Sequence, residues 1–199
     1  SLGIILPICN GLEINYLPLS SIRKLYRTWY KNNKYTLEHV IPQSFVKNKE
    51  YNRDMHSILW LPNKVNNHRD TYKYVNDYTI HDTTQLLDYD GNIITNKKLL
   101  LCENSRIYLK SNFRREFTPI KTYQGKIARA CMYFIDTYPE YKDMILDRVI
   151  DADVIYTWNH ENPVSRFELQ KNQYIYEFQG NKNKYIDDPN LVLKDLQKL

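Results

Sequence analysis

Cysteine is scarce in this sequence: Cys9, Cys102 and Cys131 are the only three, far apart and with no Cys-x-x-Cys pair. That usage excludes a disulfide-framed scaffold and a zinc ribbon, and at most one bridge can close within the chain. The histidines and cysteines also lack the ligand spacing of a structural zinc site. No apolar run approaches the ~20 residues needed to span a bilayer, so no membrane association is expected. The apolar stretch at residues 2–8 is too short to be read as a signal core. Internal repeats and low-complexity tracts are missing. So is any stretch resembling a base-reading helix, which argues against strong sequence specificity toward a nucleic acid.

What remains is a chain of 199 residues, most economically one domain over 1–199 and long enough to bury a core without staples. Tyrosine is abundant at 18 residues. Its apolar ring and polar tip suit half-buried surfaces and stacking on bases, although an AT-rich coding sequence gives the same enrichment. The net charge is +5 with an isoelectric point near 8.9, which suits a polyanionic partner without demanding one. Its distribution says more. Arg106, Lys110, Arg114, Arg115, Lys121, Lys126 and Arg129 face a single acid, Glu116, whereas residues 136–153 hold six acids against Lys142 and Arg148.

Along the chain, Ile22, Leu25, Tyr26 and Trp29 share one face of a predicted helix over about 21–31. A strand is predicted over 35–41, a second over 57–61, and a helix over 62–74, with polar loop at 43–53 between the strands. Asp90-Gly91 between apolar pairs predicts a hairpin turn, and a further strand is read over 99–109. Three apolar stripes follow: a helix over 125–138 ended by Pro139, a second stripe through Tyr141, Ile145 and Val149, and a last helix from Pro163. That last helix is read with Val164, Phe167, Tyr174 and Phe178 inward and Gly180 as its C-terminal cap. The tail after Lys182 reads as polar. The class expected is therefore α+β, a mixed helical domain with short antiparallel strands.

Chemistry concentrates at residues 38–69. Glu38 and His39 sit side by side at the end of a β-prone run, and Asn66 follows within the helix. Phosphodiester hydrolysis needs an activated water and a cation to neutralise the charge that grows on the phosphate. His39 has the titration range of a general base. The oxygens of Glu38 and Asn66 form a small, hard donor set suited to Mg²⁺, with Mn²⁺ or Ca²⁺ able to replace it. Neighbouring strand residues point to opposite faces, so both serve one site only if the chain bends before Pro42. On the helix, Asn63, Asn66, Arg69 or Asp70, and Lys73 would share a face. Each feature also has a bland reading: Arg69 as an ion-pair partner of Glu38 or Asp70, and His56 as a structural histidine.

Glu38 to Pro42, Asp54 to His56, Val65-Asn66 and Arg69 together resemble the signature of the endonuclease I family of nonspecific nucleases, within the ββα-metal or HNH-like superfamily. The resemblance extends through residues 125–133, Trp158-Asn159, residues 163–165 and residues 179–183, and covers about 35–186. It implies a ββα-metal motif and cleavage of DNA, and often RNA, with one Mg²⁺-type ion and 5′-phosphate ends. His39 would be the general base, and Glu38 and Asn66 the metal ligands. It also implies a secreted or periplasmic setting, which the cysteine usage does little to support, and a monomer is expected. The family's insertion between the Glu-His and Asp-Met-His motifs, with its cysteines and its phosphate-contacting arginine, is reduced here to 43–53. Arg53 and Lys47 are the candidates for that arginine's role. Lys64, Arg69, Arg114, Arg115, Lys126 and Arg129 are the further candidates for gripping phosphates. A nucleic-acid-binding protein that keeps the fold without cutting is the alternative.

Overall fold

The computed structural model describes residues 35–47, 50–95 and 107–199. The predicted helix over 21–31, Cys9, Cys102, Arg106 and most of the predicted strand 99–109 lie outside them. Within the described residues, two small sheets and seven α-helices give the α+β class expected.

The first sheet pairs β1 (Tyr35–His39) antiparallel with β2 (Ile58–Pro62), in register from Tyr35 opposite Pro62 to His39 opposite Ile58. Every residue of β2 is buried, which explains its unbroken apolar run. β1 stops two residues before the predicted end because the chain bends at Val40 and Ile41, although the Val40 amide still donates to Ser57 O at 3.0 Å. The predicted loop 43–53 contains two single 3-10 turns, Gln43–Phe45 and Tyr51–Arg53. α1 (Asn63–Arg69) begins directly after β2, with Pro62 at its N-cap.

The helix predicted over 62–74 is half that length. Asp70 takes φ 47° and ψ −121°, a conformation that no helix can continue through and that L-residues rarely adopt. The chain then extends, and β3 (Lys73–Tyr74) pairs in parallel with β6 (Glu116–Thr118). Lys73 therefore does not share a helical face with Asn66. The second sheet runs β3-β6-β5-β4, with β4 (Thr84–Leu87) and β5 (Tyr108–Ser111) antiparallel. The Asp-Gly turn is where the sequence puts it. Gly91 has φ 83°, its amide donates to Asp88 O at 3.0 Å, and Leu87 bridges Ile93.

The long helix α2 (Lys121–Thr137) starts four residues before its predicted N-terminus and runs through the core, burying Ile127, Cys131, Phe134 and Ile135. It packs against α4 (Ala152–Glu161). Gly125 makes this contact: a Cβ there would lie 2.6 Å from Asn162 O and 2.7 Å from an Arg129 nitrogen. Between them, α3 (Lys142–Arg148) turns Ile145 and Val149 inward. α5 (Arg166–Gln179) is fixed at its start by a capping box between Ser165 and Glu168 and closed by Gly180 at φ 83°. Its inward face differs from the predicted one. Glu168, Asn172 and Ile175 are buried, while Tyr174 and Phe178 face solvent. The tail read as polar folds into two short helices, α6 (Lys184–Asp187) and α7 (Leu191–Leu196), which bury Tyr185 and Val192. No helix among the described residues is long and apolar enough to cross a membrane.

Candidate active site

The end of β1 is held by one buried guanidinium. From the last turn of α1, Arg69 donates through Nη1 to Glu38 Oε1 at 2.7 Å and to the His39 carbonyl at 3.3 Å, and through Nη2 to the Val40 carbonyl at 2.6 Å. Its plane also stacks 4.5 Å from the Tyr74 ring centre. The Val40 carbonyl, freed from sheet pairing by the bend, and the His39 carbonyl, which points away from β2, thus supply the acceptors for Arg69. Past the bend, Ile41 exchanges two hydrogen bonds with the Tyr51 hydroxyl, its amide donating to that oxygen and its carbonyl accepting from it. The Tyr51 ring meets the His39 imidazole edge-on at 5.4 Å, and the Gln43 amide reaches His39 Nε2 at 3.2 Å. A glutamine amide can donate or accept by turning over, so Gln43 can hold either imidazole tautomer.

Glu38, His39 and Asn66 all border one open hollow of about 420 Å³, whose rim also includes Pro42, Gln43, Ser44, Asp70 and Thr71. β1 and α1 meet at this hollow because β2 leads into α1 without a loop. Glu38 faces α1 from the strand, while His39 is turned toward the 43–45 segment that folds back after the bend. The Asn66 side chain, half-buried, makes no hydrogen bond with any other described residue, so its amide oxygen is available to the hollow. Burial pushes the Glu38 carboxyl up to about 7 in spite of the adjacent Arg69. Loss of solvation outweighs the Arg69 charge at this carboxyl. A hard divalent cation in the hollow would add positive charge and would find a carboxylate oxygen and an amide oxygen of the type it prefers. Among the described residues no group of three His, Cys, Asp or Glu side chains is placed to hold a metal ion.

The predicted phosphate-binding cations divide. Arg69 and Arg129 are both 1% exposed and spent internally. Arg129 holds Glu168 Oε1 through Nε and Nη2 at 2.9 and 2.8 Å, and Asn159 and Asn162 through Nη1. These two are framework residues, and helical spacing could not reveal it. Lys126 is half-buried over the Tyr123 ring. Lys47, Arg53, Lys64, Arg114 and Arg115 are exposed. Arg115 reaches the hollow, its Nη2 donating to Thr71 Oγ1 on the rim at 2.9 Å, whereas Lys64, two residues before Asn66 and on another face of α1, donates to Asn92 Oδ1 at 2.6 Å.

The Asp54-Met55-His56 motif lies behind the strands. The buried Asp54 carboxylate accepts from the His56 amide and Gln179 Nε2 on one oxygen, and from the Tyr133 hydroxyl at 2.7 Å on the other. The His56 ring contacts the Asn181 carbonyl at 3.1 Å. A carbonyl only accepts, so His56 carries its proton on Nε2. This network fixes the start of β2 to the end of α5, and its signal in the sequence was the pairing of two distant motifs. Tyr51 and Gln43, which brace His39, lay in the predicted polar loop with no signal to mark them. Cys131 is buried in the core, where desolvation pushes its thiol up to about 12, which removes it from nucleophilic chemistry.

A two-stranded antiparallel sheet feeding a helix thus brings a carboxylate, an imidazole and an amide to the border of one solvent-open hollow. The sequence profile of endonuclease I matches residues 25–190. The chain belongs to the endonuclease I family, and so to nuclease hydrolases that act on nucleic acid. No curated protein matches it in sequence.

Proposed function

We propose that this chain, acting as a single-domain monomer, is a divalent-metal-dependent endonuclease that hydrolyses phosphodiester bonds of DNA, and of RNA in addition, with little sequence preference. The observation that carries the reading is the convergence of Glu38, His39 and Asn66 on one open hollow. Glu38 and Asn66 would hold Mg²⁺, which when bound supplies positive charge against the scissile phosphate and its leaving oxygen. His39 takes the proton of the attacking water, its ring steadied by Tyr51 and Gln43. Arg69 keeps the Glu38 carboxylate in one orientation. Departure of the 3′ oxygen leaves the 5′-phosphate ends typical of the family. Exposed cations near the hollow bind phosphates without reading bases.

A plasmid-nicking assay with and without EDTA tests this. Wild type is expected to nick in Mg²⁺ or Mn²⁺ and to stop in EDTA. His39→Ala should lose roughly 10²–10⁴-fold in rate while binding DNA within a few-fold of wild type, and Asn66→Ala should fail to nick at ordinary Mg²⁺. Near-normal cleavage by His39→Ala would remove the general base from the scheme. Binding without nicking in any divalent ion is the outcome that the non-cleaving alternative requires.

A further inference from the structure

Phe113 is 86% exposed, the most exposed of the large apolar side chains among the described residues. A single exposed phenylalanine needs no explanation in itself, but its setting does. It stands at the tip of the β5–β6 hairpin, between Ser111 and Glu116, the last paired residues. The tip is braced. The Tyr72 hydroxyl donates to Asn112 Oδ1 at 3.0 Å, the Lys73 amide donates to Arg115 O at 2.9 Å, and Arg115 lies 4.8 Å from the Tyr72 ring centre. Arg115 is held at φ 56°, a conformation that glycine adopts at lower cost and that persists only where its surroundings enforce it. Through Arg115 and Thr71 this rigid turn abuts the rim of the active-site hollow.

Cations and acids both surround Phe113: Lys110, Arg114 and Arg115 against Asp77 and Glu116. Lys110 lies 4.7 Å from the Tyr72 ring centre on the same hairpin, and Arg114 is exposed beside the phenylalanine. Arg114 meets Asp77 and Glu116 only at 3.7 and 4.0 Å, loose surface pairs that a phosphate can displace. An apolar ring presented from a fixed turn among cations matches the design of single-strand binding surfaces, where bases stack on aromatics and cations follow the backbone. Every base offers a π face, so such a contact is sequence-tolerant.

We propose, resting on the nuclease reading above, that this hairpin tip is a substrate-gripping element that favours unpaired nucleic acid. Phe113 stacks on an unpaired base, and Arg114 and Lys110 hold the flanking phosphates.

The test uses the full chain in EDTA with a single-stranded oligonucleotide of about 12 nucleotides carrying 2-aminopurine, and with the same sequence as a blunt duplex. Wild type is expected to quench the 2-aminopurine on binding. Phe113→Ala should weaken single-strand binding about tenfold, abolish the quenching and leave the salt dependence of affinity unchanged. Phe113→Trp should keep both affinity and quenching. Phe178→Ala, which removes an exposed ring from α5, should behave as wild type. Wild-type binding and quenching by Phe113→Ala would overturn the proposal, as would an equal loss on single strand and duplex. If wild type cleaves these oligonucleotides in Mg²⁺ while Phe113→Ala is silent in every readout, only the hairpin assignment falls. If wild type neither binds nor cleaves, the nuclease reading falls with it.

Discussion

Arg69 shows how far a single residue can depart from what its spacing suggests. One helical turn from Asn66, it has the position of a phosphate ligand, yet it is the buried clamp of the strand end. Periodicity states which face a residue shares and leaves open whether that face meets solvent. Removing one partner of a buried pair typically costs about 3–5 kcal/mol. Arg69→Ala is therefore expected to lower stability by roughly that amount in urea titrations, whereas a surface phosphate ligand would lose nucleic-acid affinity with stability intact. His56 allows a second prediction at this scale. Burial lowers its pKa, opposed by the Asn181 carbonyl and the Asp54 carboxylate. Above the unfolded-state value, about 6.5, both states are neutral and stability is unaffected. As pH falls below it the unfolded chain takes up a proton that the folded one resists, so stability drops by up to about 1.4 kcal/mol per unit until the folded pKa is reached. The Glu38 carboxyl, pushed up to about 7, works in the opposite sense over the same range, so the check is the difference between two proteins: in thermal melts in EDTA, the Tm of wild type relative to His56→Gln should fall from pH 7 to 5.

Among the elements, the strand carrying Glu38 and His39 and the order strand, strand, helix were legible because alternation, an apolar run and a proline marked them. The end of α1 was not. Nothing in the composition of residues 69–74 announces that Asp70 turns to positive φ, and pairing of Tyr74 in the second sheet overrides the helical pattern. The same limit applies to α5, where the buried face is chosen by the Arg129–Glu168 pair and by Asn172 rather than by its aromatic stripe. Asp70→Gly should relieve the backbone and raise stability by about 1 kcal/mol, measured as a shift in the urea midpoint at constant slope. Two glycines should separate cleanly. At Gly125 an added methyl group meets backbone and a buried guanidinium, so Gly125→Ala should cost about 1–3 kcal/mol. At Gly180 nothing lies within 4 Å, so Gly180→Ala carries only the cost of the left-handed backbone, about 1 kcal/mol.

For the whole molecule, total charge pointed to a polyanion partner but could not say which cations serve it. The basic stretch over 106–129 splits in three dimensions: Arg115 reaches the rim of the hollow, Lys110 lies over Tyr72, Arg114 turns to Asp77 and Glu116, and Arg129 is in the core. Salt titration of DNA binding should expose the split. Lys64→Ala and Arg114→Ala should each reduce the slope of log affinity against log salt by about 1, while Arg129→Ala should leave the slope unchanged and lower the Tm instead.

The tie between Asp54 and Gln179 bridges most of the polypeptide. A nascent chain still threaded through the ribosome has made β1, β2 and α1 long before residues 179–181 emerge to brace them. The brace behind the two strands therefore forms late in synthesis, and a product ending before Gln179 would lack it.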